Sequence, residues 1–195
     1  SPIWPEILFE EAWNSFYMRD YNRALGKLVT YKAPVFAYVF NPEIDVLRSL
    51  TYMELCLWDD AKAVVNDFYG RYEREAIALK DFLGKNGSDY KYFYQMAKGY
   101  REGRFRDQGL LSNFLANITK DATYMELSAQ FDTGKDELAK IKTVNDQQFK
   151  RVLAQNLKET LLLQRDLIGS YVKRRLQSFQ AQMNKAFEGM SYIKL

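Results

Sequence analysis

Glu10 with Glu11 and Asp59 with Asp60 are adjacent carboxylates, the residue type that serves as general acid and base when two face each other across a cleft. Neighbours on a helix project to different faces, so neither pair makes a dyad and both read as solvated or capping groups. Cys56 is the only cysteine, so no internal disulfide forms, and its place in the apolar stripe of a helix predicts a buried, inert thiol. There is no histidine. The commonest general base and the commonest metal ligand are therefore absent, with every histidine-dependent triad and zinc motif. The glycines at GKNG, 84–87, lack both the spacing of a phosphate-binding loop and a preceding strand. Lysine and arginine at 173–175 and in YREGRFRDQG, near Tyr100, Phe105 and Tyr171, have the chemistry of a nucleic-acid surface, but aromatics at helical spacing more often form core. Catalytic, cofactor-binding and metal residues are accordingly expected to be none, and no cofactor is expected.

Composition narrows the class further. Hydrophobic residues make up 47% and charged residues 27%, which is globular rather than disordered. Fourteen Tyr and 13 Phe against 4 Pro and 10 Gly suit closely packed helices better than a loop-rich β fold. No apolar run is long enough for a membrane span, and the residues from Ser1 onward do not read as a charged-then-apolar leader. The start without Met and the ending on Ile193, Lys194 and Leu195 predict a piece of a longer chain. Charge is polarised: from Lys140 onward there are 11 Lys and Arg against 4 Asp and Glu, while the first 139 residues carry 17 against 21.

Such groups must be positioned by helices. The stretch Pro42–Tyr72 reads as two amphipathic helices joined by a tight turn, with proline opening the first. Upstream, Pro5 and Glu6 open a helix through Ile7, Leu8, Ala12 and Ser15 or Phe16. Asp20 then caps a second carrying Tyr21, Ala24, Leu28 and Tyr31, which stops before Pro34. Tyr21, Ala24 and Leu28 fall on Trp58, Ala61 and Val65 at an offset of 37 residues, with Ala12 on Ser49 and Ser15 on Tyr52. Each match has a mechanical role: the small residues let the two helices cross closely, and Tyr21 or Trp58 plugs the turn.

This pattern resembles the tetratricopeptide repeat (TPR) over residues 5–73, and DFYGRYE resembles the variety found in bacterial cell-envelope proteins. It departs from the family in its spacing, 37 residues where the family has 34, and in carrying Ser49 where Gly or Ala is usual. The resemblance implies a non-catalytic scaffold that binds a protein or peptide partner within a bacterial cell-envelope assembly, periplasmic or envelope-associated, with the cytoplasm as the alternative compartment. It also implies a groove lined by each first helix, which carries over to Phe9, Trp13, Phe16 and Tyr17, then Val46, Leu50, Met53 and Glu54. The competing expectation is that the chain's own long helix covers that groove. A nucleic-acid-binding module using the basic C-terminal helix is the runner-up function, and an enzyme domain stands last.

Beyond Tyr72 the helical spacing continues to Gly84, and GKNGSD breaks it. Ser88 or Asp89 caps a helix with Tyr90, Phe93, Ala97 and Tyr100 on one face. After Gly103, Phe105 takes the place of Tyr21 and Trp58, with Gln108 at the crossing position, so a degenerate third hairpin is expected. Residues 121–143 hold a helical pattern interrupted at Asp132, Thr133 and Gly134. Asn145 with Gln148 forms a capping pair for a helix of about 43 residues, on the order of 65 Å long, with apolar positions from Leu153 to Met190. The expected fold is all-α: a TPR-like α-solenoid of hairpins in 1–84, a degenerate hairpin and connecting helix in 85–143, and a long amphipathic helix in 144–195 that lies along the repeats or self-associates.

Overall fold

Four aspartates start four helices. Asp20, Asp89, Asp121 and Asp146 each accept a backbone N–H two or three residues on, at 3.2, 3.0, 2.9 and 2.9 Å, satisfying a donor that the first helical turn leaves orphaned. The computed structural model that carries these caps describes residues 4–31, 33–36, 39–104, 109–143 and 145–193. It is all-helical, with no strand among the described residues: α1 Trp4–Tyr17, α2 Tyr21–Thr30, α3 Glu43–Glu54, α4 Trp58–Asn86, α5 Tyr90–Arg101, α6 Leu110–Lys120, α7 Ala122–Lys140 and α8 Gln147–Ser191. Short 3-10 turns occupy Pro34–Phe36 and Ile141–Thr143.

Three helix ends follow one recipe. At Arg19 and Cys56 the backbone adopts φ of 60° and 58°, and at Gly103 69°. In each case the next residue's N–H reaches back five residues (Asp20 to Ser15, Leu57 to Tyr52, Arg104 to Gly99), the Schellman stop. Arg19 and Cys56 stand 37 residues apart, the offset read from the side-chain pattern.

Two compact units divide the chain: residues 1–80 with 178–195, and residues 81–177. The divisions fall inside α4 and α8. In the first unit, Ala12, Ala24, Ser49 and Ala61 are all fully buried, as close helix crossings require. Ser49 Oγ donates to the Ala61 carbonyl at 3.3 Å across the α3–α4 crossing. Phe9, Ala12, Leu28 and Leu47 form a core on which Trp13, Phe16, Tyr31 and Ile44 pack. The last part of α8 closes this unit: Phe187 meets Phe68 at 4.9 Å between ring centroids, Phe179 meets Phe40 at 5.4 Å, and Lys185 pairs with Glu43 at 2.9 Å. In the second unit, Phe93, Phe114, Leu115, Ile118 and Tyr124 are buried with Leu161, Ile168, Val172 and Leu176 of α8.

Several expectations are corrected. Cys56 is exposed, because α3 ends at Glu54 and Cys56 is the left-handed residue of the stop, beyond the helical stripe. Helix α7 runs unbroken through Asp132, Thr133 and Gly134. Thr133 Oγ1 donates to the Ala129 carbonyl, and the missing Cβ of Gly134 makes room for Leu161, whose Cδ2 would lie 3.0 Å from it. The cap of α8 is Asp146, not Asn145 with Gln148, since the Asp146 carboxylate reaches the Phe149 N–H directly. Pro42 precedes α3 without a side-chain cap, and Asn41 Oδ1 accepts from the Glu43 N–H instead. Tyr21 packs on Phe16, ring centroids 5.5 Å apart, but Trp58 stays exposed and plugs nothing. Phe105 and Gln108 of the expected third hairpin lie outside the described residues. Its helices α5 and α6 are present, with Ala97 fully buried.

Asp121 does more than cap α7. The Tyr171 hydroxyl donates to the same Oδ1 at 2.5 Å. Burial alone would raise the Asp121 carboxyl, but the Tyr171 hydroxyl, the Thr123 and Tyr124 amides and the Arg175 charge outweigh it and hold the group below the usual aspartate range. A carboxyl depressed in the folded state contributes stability above its unfolded value, lost as pH falls through the folded one. Asp121→Asn is therefore expected to cost about 1 kcal/mol at neutral pH and to flatten the acid side of the stability profile below about pH 4, measured by denaturant unfolding at each pH. Parallel profiles for variant and parent would refute this.

Candidate functional site

The expected groove residues separate into three environments. Phe9 and Val46 are buried: Phe9 belongs to the α1–α2–α3 core, and Val46 lies under α8, where a Cβ on Gly189 would come within 2.9 Å of Val46 Cγ1. Neither is presented to a free ligand. Trp13, Phe16, Leu50 and Met53 are half-buried. Trp13 stacks on Tyr17 at 5.5 Å between ring centroids and meets Phe16 edge-on at 5.9 Å. Tyr17 and Glu54 are exposed. Glu54 accepts the Tyr21 hydroxyl at 3.0 Å, which ties the α1–α2 turn to the end of α3.

Beside that tie both turns carry exposed apolar side chains, of which only Tyr17 belongs to the expected set. Tyr17 is 75% exposed, Met18 72% and Trp58 51%, and Leu57 is exposed beside it. All four adjoin the Schellman stops at Arg19 and Cys56, where the chain leaves its helix and its side chains leave the buried stripe. Their signal in the sequence is that both turns, FYMRD and CLWDD, carry large apolar residues where polar ones are usual.

A second constellation lies in the same unit. Asp45 and Arg48, one helical turn apart on α3, are both buried. Asp45 receives Arg48 Nη2 at 3.3 Å and Arg71 Nη1 at 3.5 Å, so two guanidiniums converge on one carboxylate. Arg48 Nε is enclosed and has no acceptor among the described residues. The Arg71 guanidinium stands 5.5 Å from the centre of the Tyr72 ring. Burial works against the Arg71 charge, but the Tyr72 hydroxyl and the Asp45 and Asp67 carboxylates outweigh it and hold the group above its ordinary value. Burial likewise pushes the Tyr72 hydroxyl up. The cluster carries no distinctive sequence signal, because an acid and a base at i, i+3 usually mark a solvated helix face.

The basic segments are occupied in part. Lys173 lies over the Tyr90 ring at 5.7 Å, Tyr171 is held by Asp121, and Arg175 is half-buried, leaving Arg174 as the exposed cation of that run. In YREGRFRDQG, Arg104 pairs with Glu102. Among the described residues, no helix is long and apolar enough to cross a membrane. No protein-family model, curated protein or solved structure matches this chain.

Proposed function

We propose that this chain is a non-catalytic, TPR-like helical-repeat scaffold that docks a protein partner, within a bacterial cell-envelope assembly as the resemblance of its repeats implies. The observation that carries the reading is the pair of hairpin turns presenting Tyr17, Met18, Leu57 and Trp58 to solvent. A run of aromatic and thioether side chains offers large contact area at low entropic cost, the composition of interaction hot spots. The reading favours the turns over the groove, because Val46 packs on α8 there.

Met18→Ser with Trp58→Ser tests it. Both side chains are exposed, so the double variant should unfold within about 0.5 kcal/mol of the parent. Partner capture from a lysate of the source organism should fall at least about tenfold, the loss of one or two hot-spot residues. Equal capture by parent and variant sinks the reading.

Self-association through α8 is proposed alongside. Phe149, Val152, Leu163 and Leu167 are exposed and recur on one face of this helix. Sedimentation should show a dimer that Leu163→Lys converts to monomer, and a monomeric parent at all concentrations refutes it.

A further inference from the structure

The cluster at Asp45 borders a cleft of about 350 Å³ in the first unit, walled by Leu28, Phe36 and Ile44 and by the rings of Tyr31 and Tyr72. We propose that this cleft binds a small apolar molecule bearing a single carboxylate, with Arg48 and Arg71 holding the carboxylate and the hydrocarbon walls holding its body. The proposal does not depend on the scaffold reading.

Charge selects the ligand's head group. Two guanidiniums lie within ion-pair distance of one carboxylate, and Asp67 acts on Arg71 from farther away. Glu43 is taken by Lys185. A monoanion adds the least charge beside the buried Asp45, whereas a phosphate dianion would set a second charge against it. Geometry agrees. Each guanidinium carries five N–H donors; both reach Asp45, Arg71 also faces the Tyr72 hydroxyl, and the enclosed Arg48 Nε lacks an acceptor among the described residues. Carboxylate oxygens match that planar fork.

The walls select the ligand's body. The Tyr31 hydroxyl is committed to the Pro5 carbonyl, and burial pushes it up to about 12, so it enters the cleft as a neutral ring. The Tyr72 ring lies beside Arg71. The cleft is lined by more polar than apolar surface, with its rings and aliphatic side chains beside the charged cluster. At the lower end of the usual range of about 300–1,000 Å³, it suits a carboxylic acid with one short aromatic or branched body.

The full chain would be titrated with phenylacetate, phenylacetamide and phenyl phosphate, following backbone amide NMR shifts. Phenylacetate is expected to bind saturably at α2, α3 and α4 resonances, with the neutral amide at least about tenfold weaker and the phosphate weaker than the acid. Arg71 is half-exposed, so Arg71→Gln keeps the fold, and it should weaken phenylacetate at least about tenfold while leaving phenylacetamide unchanged. Equal binding of acid and amide, tighter binding of the phosphate, indifference to Arg71→Gln, or no saturation at millimolar phenylacetate each overturns the proposal. The acid–amide comparison uses the unaltered protein, so it decides the matter even if the variant misfolds.

Discussion

Alanine at Gly169 will cost the protein at least about 3 kcal/mol, the upper end of what overpacking does, because the obstacle is backbone. An added Cβ there would sit 1.9 Å from the Tyr90 carbonyl oxygen and 2.6 Å from its carbon. A side chain can swing aside, but the first turn of α5 cannot move without breaking the Asp89 cap, which holds the Tyr92 N–H at 3.0 Å. Gly70→Ala is the matching control. Gly70 lies inside α4 with nothing within 4 Å of its Cβ position, so alanine there should gain up to about 1 kcal/mol from helix propensity alone. Denaturant unfolding of the two variants should therefore shift the midpoint in opposite directions, and equal shifts would refute the close approach.

Asp45→Asn should cost about 3–5 kcal/mol, the usual penalty for stranding a buried charge. The exchange hardly alters volume, so the loss is electrostatic: Arg48 keeps its charge in a buried site and loses the anion 3.3 Å away. Asp45→Leu with Arg48→Met should recover most of that loss, because an apolar pair of similar bulk has no desolvation penalty to repay. Equilibrium unfolding in urea checks both. A mild Asp45→Asn would mean that water reaches the cluster freely.

The hairpins were legible because helix crossings tolerate few residue types. Ala12, Ala24, Ser49 and Ala61 are small for a steric reason that holds in any context, and all four are fully buried. The Asp20 and Asp89 caps were readable for a similar reason, since a short acceptor just before an amphipathic run has one efficient use. The groove was less legible. Whether Val46 faces solvent depends on Gly189, 143 positions later, and periodicity within one helix carries no information on what covers it. Cys56 was misplaced because helical spacing was extended past Glu54, where the backbone had already turned left-handed, and Trp58 because its match to Tyr21 carries the position in the repeat but not the burial. The Asp45–Arg48–Arg71 cluster was hidden because burial, which separates an ionic core from a decorated surface, is a tertiary property.

The discontinuity of the first unit bears on how the chain is made. Residues 81–177 are contiguous and have the partners within their own unit once they emerge from the ribosome. Residues 1–80 do not, because Phe179, Lys185, Phe187 and Gly189, which cover Phe40, Glu43, Phe68 and Val46, are translated more than a hundred codons later. The hairpins of the first unit are thus completed only after the second unit has been synthesised, and during that interval Phe68 and Val46 offer apolar surface to any chaperone or neighbouring nascent chain. Stalling translation before residue 178 should leave a species that binds hydrophobic dyes, and release of the finished chain should abolish that binding.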